Sequence, residues 1–228
     1  SRRQRQMCIR DRMRDFYVDA YAALDGGHGP EWVSSVPGFV ALRRQGLDLR
    51  APVTVLTGDN GVGKSTLAEG IAFEYGFPER GGIWGVQRSA GPINPLRRWA
   101  SLRLGTAPKD GYFLRAEAHY NVGSTAMSHG ESVMDVVQRS FDGRGLYILD
   151  EPESGLSLVR QMTLMAEIHR AAEAGAQFIV VTHSPIVAAI PGARIVEITE
   201  DGFFLELRDV TQTLAFQSLR EFLYASGC

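Results

Sequence analysis

The run Gly58-Asp59-Asn60-Gly61-Val62-Gly63-Lys64-Ser65-Thr66 holds two glycines with four residues between them, then a lysine and two hydroxyls. Glycines let backbone N–H groups curl around an anion without Cβ clashes. The helix expected to start here would point its positive end at the same charge. In this pattern the lysine reaches the β- and γ-phosphates of a nucleoside triphosphate, and Ser65 supplies a hydroxyl to Mg²⁺. Lys64 and Lys109 are the only lysines in a chain that otherwise uses arginine, so a lysine inside a glycine-rich loop invites a chemical reason. A plain glycine-rich turn is the competing reading. The apolar strand before the loop and the helical pattern after it favour phosphate binding.

Two further segments carry acids and a histidine at strand ends. Gly145-Leu146-Tyr147-Ile148-Leu149-Asp150-Glu151-Pro152 is an apolar run ending in adjacent carboxylates. Asp150 is suited to the Mg²⁺ shell, and Glu151 to polarising an attacking water as general base. Val181-Thr182-His183-Ser184-Pro185 ends a second apolar run in a histidine. Met127-Ser128-His129-Gly130-Glu131-Ser132 offers a hydroxyl and free backbone amides at a helix start, another anion site. Ser128 and Glu131 also fit an ordinary capping box.

These groups need elements to position them. Strands are expected at Val53–Thr57, Tyr112–Arg115, Leu146–Leu149 and Phe178–Val181. A hairpin of Arg194–Ile198 and Phe203–Leu207 is expected around Glu200-Asp201-Gly202. The Leu146 and Phe178 runs are apolar nearly throughout, as strands buried on both faces of a parallel sheet are. Helices are expected at Ser65–Tyr75, Glu131–Phe141, Ser157–Ala174 and Thr211–Tyr224, with Ser157 as N-cap and Gly175 as the stop. This alternation predicts an α/β sandwich around a mostly parallel central sheet. Gly76–Asp110, rich in Gly, Pro and Arg, is expected to be a small irregular arm inserted between core strands.

Together the segments resemble the ABC-type P-loop ATPases. Within these they resemble a compact bacterial group of ABC/AAA-type predicted ATPases, on the wording of residues 110–117, 128–132 and 182–186 over about residues 32–226. The resemblance implies that Ser128 and Gly130 belong to a signature loop, Ser-His-Gly-Glu-Ser, where the family's usual wording is Leu-Ser-Gly-Gly-Gln. That loop would cover the γ-phosphate held by a second copy, within a signature region spanning about residues 118–142. Glu153–Ser157 resembles the D-loop, with Ser157 where the family usually has Asp. His183 would be the switch histidine at the γ-phosphate. Glu117 is the preferred positional equivalent of the family's Q-loop glutamine near the metal. Gln87 is the other candidate. The resemblance therefore implies ATP and Mg²⁺ as ligands and a homodimer formed on ATP binding.

Composition narrows the classes. A net charge of −2 gives no global basic field toward nucleic acid, although Arg97, Arg98 and Arg103 form a local cluster that leaves a nucleic-acid partner open. The two cysteines, Cys8 and Cys228, form neither a disulfide framework nor a metal motif, and fit a reducing compartment. No apolar run reaches the ~18 residues of a membrane helix. A cytoplasmic ATPase is the expectation, with an ABC transporter's nucleotide-binding subunit as the alternative. The process served is left open between DNA repair, defence and other stress responses. Ser1–Arg12, SRRQRQMCIRDR, resembles a translated sequencing adaptor or a basic disordered arm. It is set aside, leaving residues 13–228 as one expected domain.

Overall fold

Val53–Gly58, Gly145–Asp150 and Gln177–Val181 are buried along their whole lengths. They form the middle of the molecule because such apolar runs can only lie inside a sheet covered on both faces. The structure, a computed structural model, describes residues 16–26, 31–85, 96, 99–106, 110–115, 134, 136–137, 141 and 144–225.

In chain order the described elements are β1 (Val18–Ala23), a short 3-10 turn (Glu31–Ser35), α1 (Pro37–Gln45), β2 (Leu47–Asp48) and β3 (Val53–Gly58). Next come α2 (Lys64–Tyr75), β4 (Gly82–Ile83), β5 (Ala100–Leu104), β6 (Asp110–Leu114), β7 (Gly145–Asp150) and α3 (Leu158–Glu173). The chain closes with β8 (Gln177–Val181), α4 (Pro185–Ala188), β9 (Arg194–Ile198), β10 (Phe204–Leu207), a 3-10 turn (Val210–Gln212) and α5 (Leu214–Ala225).

The main sheet has seven strands in the order β10-β9-β3-β8-β7-β6-β4. The five central strands run parallel, and β10 and β4 pair antiparallel at the edges. The expected hairpin is β9–β10, with Ile198 opposite Phe204. Side chains alternate between two cores. Leu146, Ile148, Ile179 and Val181 face the side of α2, with Leu67, Ala68 and Ile71. Tyr147, Leu149, Phe178 and Val180 face the side of α3, with Leu164, Ile168 and Ala172. On that second side Phe141, Tyr147 and Phe178 pack with ring centroids 4.8–5.1 Å apart, Tyr147 stacked on Phe178 and Phe141 edge-on to Phe178. Each buried aromatic contributes about 1.5–3 kcal/mol by area. The triad anchors the chain just before β7.

The expected helix ends hold. Ser157 caps α3, its hydroxyl accepting from Arg160 N at 3.4 Å, and Gly175 follows the helix with φ 118°. Of the expected helix Glu131–Phe141, Met134, Val136 and Val137 are described and helical, and the rest of it lies outside the described residues except Phe141.

A second, antiparallel sheet, in the order β2-β1-β5, was not anticipated. Part of the segment expected to be an irregular arm supplies its strand β5, and another part supplies the edge strand β4. The sequence hides β5 because Ser101, Arg103 and Leu104 are exposed. Its strand conformation comes from pairing with distant β1, Ala23 opposite Ala100, and not from a buried pattern. One side chain ties the two sheets together. Gln177, at the start of β8 and fully buried, accepts from Tyr17 N and Val18 N at 2.9 Å. It donates to Val18 O at 2.8 Å and Leu49 O at 2.7 Å. A buried amide so fully satisfied is a strong positional lock.

Candidate functional site

Strands β3, β8 and β7 are adjacent and parallel, so Gly58, Thr182 and Asp150 come out at one edge of the sheet. This is where open α/β sheets place their ligands. The loop Gly58–Gly63 leaves β3 there and runs directly into α2. Its tip, Asp59 to Gly61, is exposed, while Val62 is buried against the body. Two of its glycines are forced by space and backbone. Gly58, at φ 133°, would put a Cβ 2.5 Å from Ile198 O. Gly63, at φ 93°, would put one 2.5 Å from Val36 Cγ1. The entry to α1 supports the loop from below, with Gly38 N donating to Val62 O at 2.7 Å. Gly63 is the N-cap of α2 and has no side chain with which to cap it. The first amides of the helix, including those of Ser65 and Thr66, therefore remain as anion donors.

Lys64 is almost fully buried in this loop. Its Nζ donates to Gly58 O at 3.1 Å and Asp59 O at 2.7 Å, which folds the side chain back over the loop. Burial lowers its pKa, opposed by the nearby carboxylates of Glu151, Asp59, Asp150 and Glu153.

Asp150, at the end of β7, lies near the Ser65 side chain, which helps to hold its pKa down. Burial pushes its carboxyl up to about 6, with Glu151 and Glu69 adding to the rise and Ser65 and Arg115 opposing it. Its Oδ1 is buried without a hydrogen-bond partner. Such an orphan costs about 1–3 kcal/mol unless something satisfies it, and a divalent cation does. Asp150 and Ser65 therefore fit Mg²⁺. Among the described residues no cluster of three His, Cys, Asp or Glu side chains forms a metal cage. Mg²⁺ needs none, since it usually takes one or two carboxylates and completes its shell with waters and phosphates.

Glu151 is the one non-glycine with positive φ among the described residues, at 47°. Held there by Glu151 N donating to Val181 O at 2.9 Å, it carries a local strain of order 1–3 kcal/mol. The turn aims its carboxylate at His183, whose Nε2 lies 3.8 Å from Glu151 Oε1.

The sequence understated two acids. Glu69, mostly buried on α2, pairs with Arg115 at 2.7 Å and joins the P-loop helix to the end of β6. Its position after Thr66 gave no sign of this. Glu153 accepts from Thr182 Oγ1 at 2.6 Å, His183 N at 2.8 Å and Ser184 N at 3.1 Å. A third acid two residues after Glu151 was the available signal. Of the other candidates, Glu117, Ser128, Gly130 and Gln87 lie outside the described residues. Strand β6 itself ends at Leu114.

A loop of this geometry on this strand order, with Asp150 and His183 on neighbouring strand ends, decides the class of the fold. The chain has the α/β P-loop NTPase fold with a mostly parallel central sheet, of the ABC type. The "AAA domain, putative AbiEii toxin, Type IV TA system" family model matches residues 133–189 of this P-loop domain, the stretch from before β7 to α4. Among solved structures, the P-loop domain is similar to "An inward-facing conformation of a putative metal-chelate type ABC transporter". The identity is 15%, covering 90% of this chain and 89% of that one, with a TM-score of 0.51. A chain of "RNase-L Inhibitor" matches at 14% identity, 80% of this chain, 38% of that chain and a TM-score of 0.43. The SMC head domain from Thermotoga maritima matches at 14% identity, 86% and 100% coverage, and a TM-score of 0.48. No curated protein matches. Among the described residues no helix is long and apolar enough to cross a membrane.

Proposed function

We propose that this P-loop domain binds MgATP on Gly58–Thr66 and hydrolyses it, in a dimer whose second copy completes the site. The observation that carries the reading is the meeting of Ser65 with the buried, partly orphaned carboxylate of Asp150 beside Lys64. The loop amides and the N-terminus of α2 bind the β- and γ-phosphates. Lys64 exchanges its contacts with Gly58 O and Asp59 O for phosphate oxygens. Ser65 and Asp150 hold Mg²⁺, which when bound neutralises charge on the phosphate oxygens. Glu151 orients and deprotonates a water in line with the γ-phosphate, and His183 faces the same water or the leaving oxygen. Ser128 and Gly130 of the second copy close the site over the γ-phosphate. Losing that phosphate removes the contact between copies, so the output is a dimer opening.

The test is calorimetric titration of ATP with and without Mg²⁺, followed by measurement of phosphate release and of mass in solution. Mg²⁺-dependent binding, turnover and an ATP-dependent rise to twice the mass are expected. Failure to bind ATP overturns the reading.

A further inference from the structure

We infer that Glu153 is a positioning residue for the hydrolytic step, a carboxylate clamp that fixes the main chain of His183 against Glu151; this rests on the ATPase reading above. The argument is one of convergence. One oxygen of Glu153 takes three hydrogen bonds from consecutive residues of a single turn: Thr182 Oγ1, His183 N and Ser184 N. Thr182 Oγ1 also accepts from Ser184 N at 2.9 Å, so the turn closes on itself around the carboxylate. Charge-assisted hydrogen bonds are about twice as strong as neutral ones, and three of them, two from backbone amides and one from a hydroxyl, leave the turn little freedom.

The clamp joins two pieces of chain that the chemistry needs in register. Glu153 sits in the turn that starts at Glu151, held there by Ser154 N donating to Glu151 O at 3.0 Å. His183 sits at the exit of β8. The histidine stands between the buried end of β8 and the four-residue helix α4, and the clamp fixes its main chain there. A second tie runs parallel. Ser184 Oγ donates to Gln161 Oε1 at 2.7 Å, and Gln161 Nε2 donates to Leu156 O at 3.1 Å. The segment Glu153–Leu156 therefore shares a hydrogen-bond network with His183. A shift of that segment moves the histidine with it.

The experiment compares Glu153→Ala, Glu153→Gln and Thr182→Val with wild type in ATP turnover, with amide hydrogen exchange measured over residues 182–184. A gap of about 1 Å at the reacting groups costs on the order of 100-fold in rate. Glu153→Ala is expected to lower kcat by roughly 10- to 100-fold while the KM for ATP stays within about threefold. Faster exchange at His183 N is expected alongside. Glu153→Gln keeps the accepting oxygen and is expected to recover most of the lost kcat. Thr182→Val, close to isosteric, loses one of the three bonds and is expected to show a smaller kcat loss in the same direction, which covers the case of an unfolded Glu153→Ala. Unchanged kcat in Glu153→Ala or Thr182→Val overturns the inference, as does a loss carried by KM or no recovery in Glu153→Gln. In each of those cases wild-type turnover leaves the ATPase reading intact. A wild type without turnover overturns both.

Discussion

Glu151 Oε1 and His183 Nε2 stand 3.8 Å apart, one on a strained turn after β7, the other on the exit of β8. The gap is beyond hydrogen-bond length, and both side chains are partly exposed, so both can act on one shared group. Glu151→Gln is therefore expected to keep ATP binding and lose turnover by about 10²–10⁴-fold, the usual worth of a general base. In the dimer reading it also accumulates the ATP-bound dimer. Phosphate release together with sizing in ATP checks both halves of the statement.

Lys64 contributes differently. It is the buried cation of the loop and donates to two of the loop's own carbonyls. Lys64→Ala is expected to weaken ATP binding by about 2–3 kcal/mol, the scale of a charge-assisted hydrogen-bond pair, which is on the order of 30- to 150-fold in Kd. Calorimetric titration reads this directly. Equal affinities for variant and wild type would remove Lys64 from the phosphate site.

These residues were legible because local spacing encodes them. The glycine–lysine loop, the acids ending an apolar strand and the histidine ending another are all short-range patterns. The strands that position them are the most apolar runs in the chain. What stayed hidden is long-range. Strand β5 exists through its pairing with β1, and Gln177 finds Tyr17, Val18 and Leu49 from far along the chain. The contacts of Glu153 with Thr182–Ser184 and of Glu69 with Arg115 are likewise made only by the fold. The wording of residues 128–132 gave a role to Ser128 and Gly130 by resemblance, and that role is carried as a proposal.

The buried carboxyl of Asp150 makes stability depend on pH in the metal-free protein. Its folded pKa, about 6, is raised from the ordinary value of 3.8. The folded state therefore holds its proton more tightly than the unfolded chain does. The resulting stabilisation is complete below about pH 4 and is lost as pH rises through about 6. In chelator near pH 7.5, Asp150→Asn is expected to be more stable than wild type by up to roughly 3 kcal/mol, the worth of about two pKa units. The advantage should vanish near pH 4, and Mg²⁺-dependent turnover should be gone in the variant. Denaturant melts at the two pH values check the sign. An Asp150→Asn protein less stable than wild type at pH 7.5 contradicts it.

A site shared between two copies makes a prediction that no self-contained site can make. Ser128→Arg fills the surface that would close over the partner's γ-phosphate, and it leaves that subunit's own loop untouched. Alone it should bind ATP normally and fail to hydrolyse it. Lys64→Ala fails for the opposite reason, with a defective loop and an intact Ser128. A two-fold dimer containing one of each has one site in which a good loop meets a good Ser128. Mixing the two inactive proteins in equal amounts should therefore restore turnover to about a quarter of wild type, since half of randomly formed dimers are mixed and each carries one working site of two. If the mixture stays as inactive as its components while both variants still dimerise with wild type, the composite site is wrong, and hydrolysis would have to be completed within a single chain.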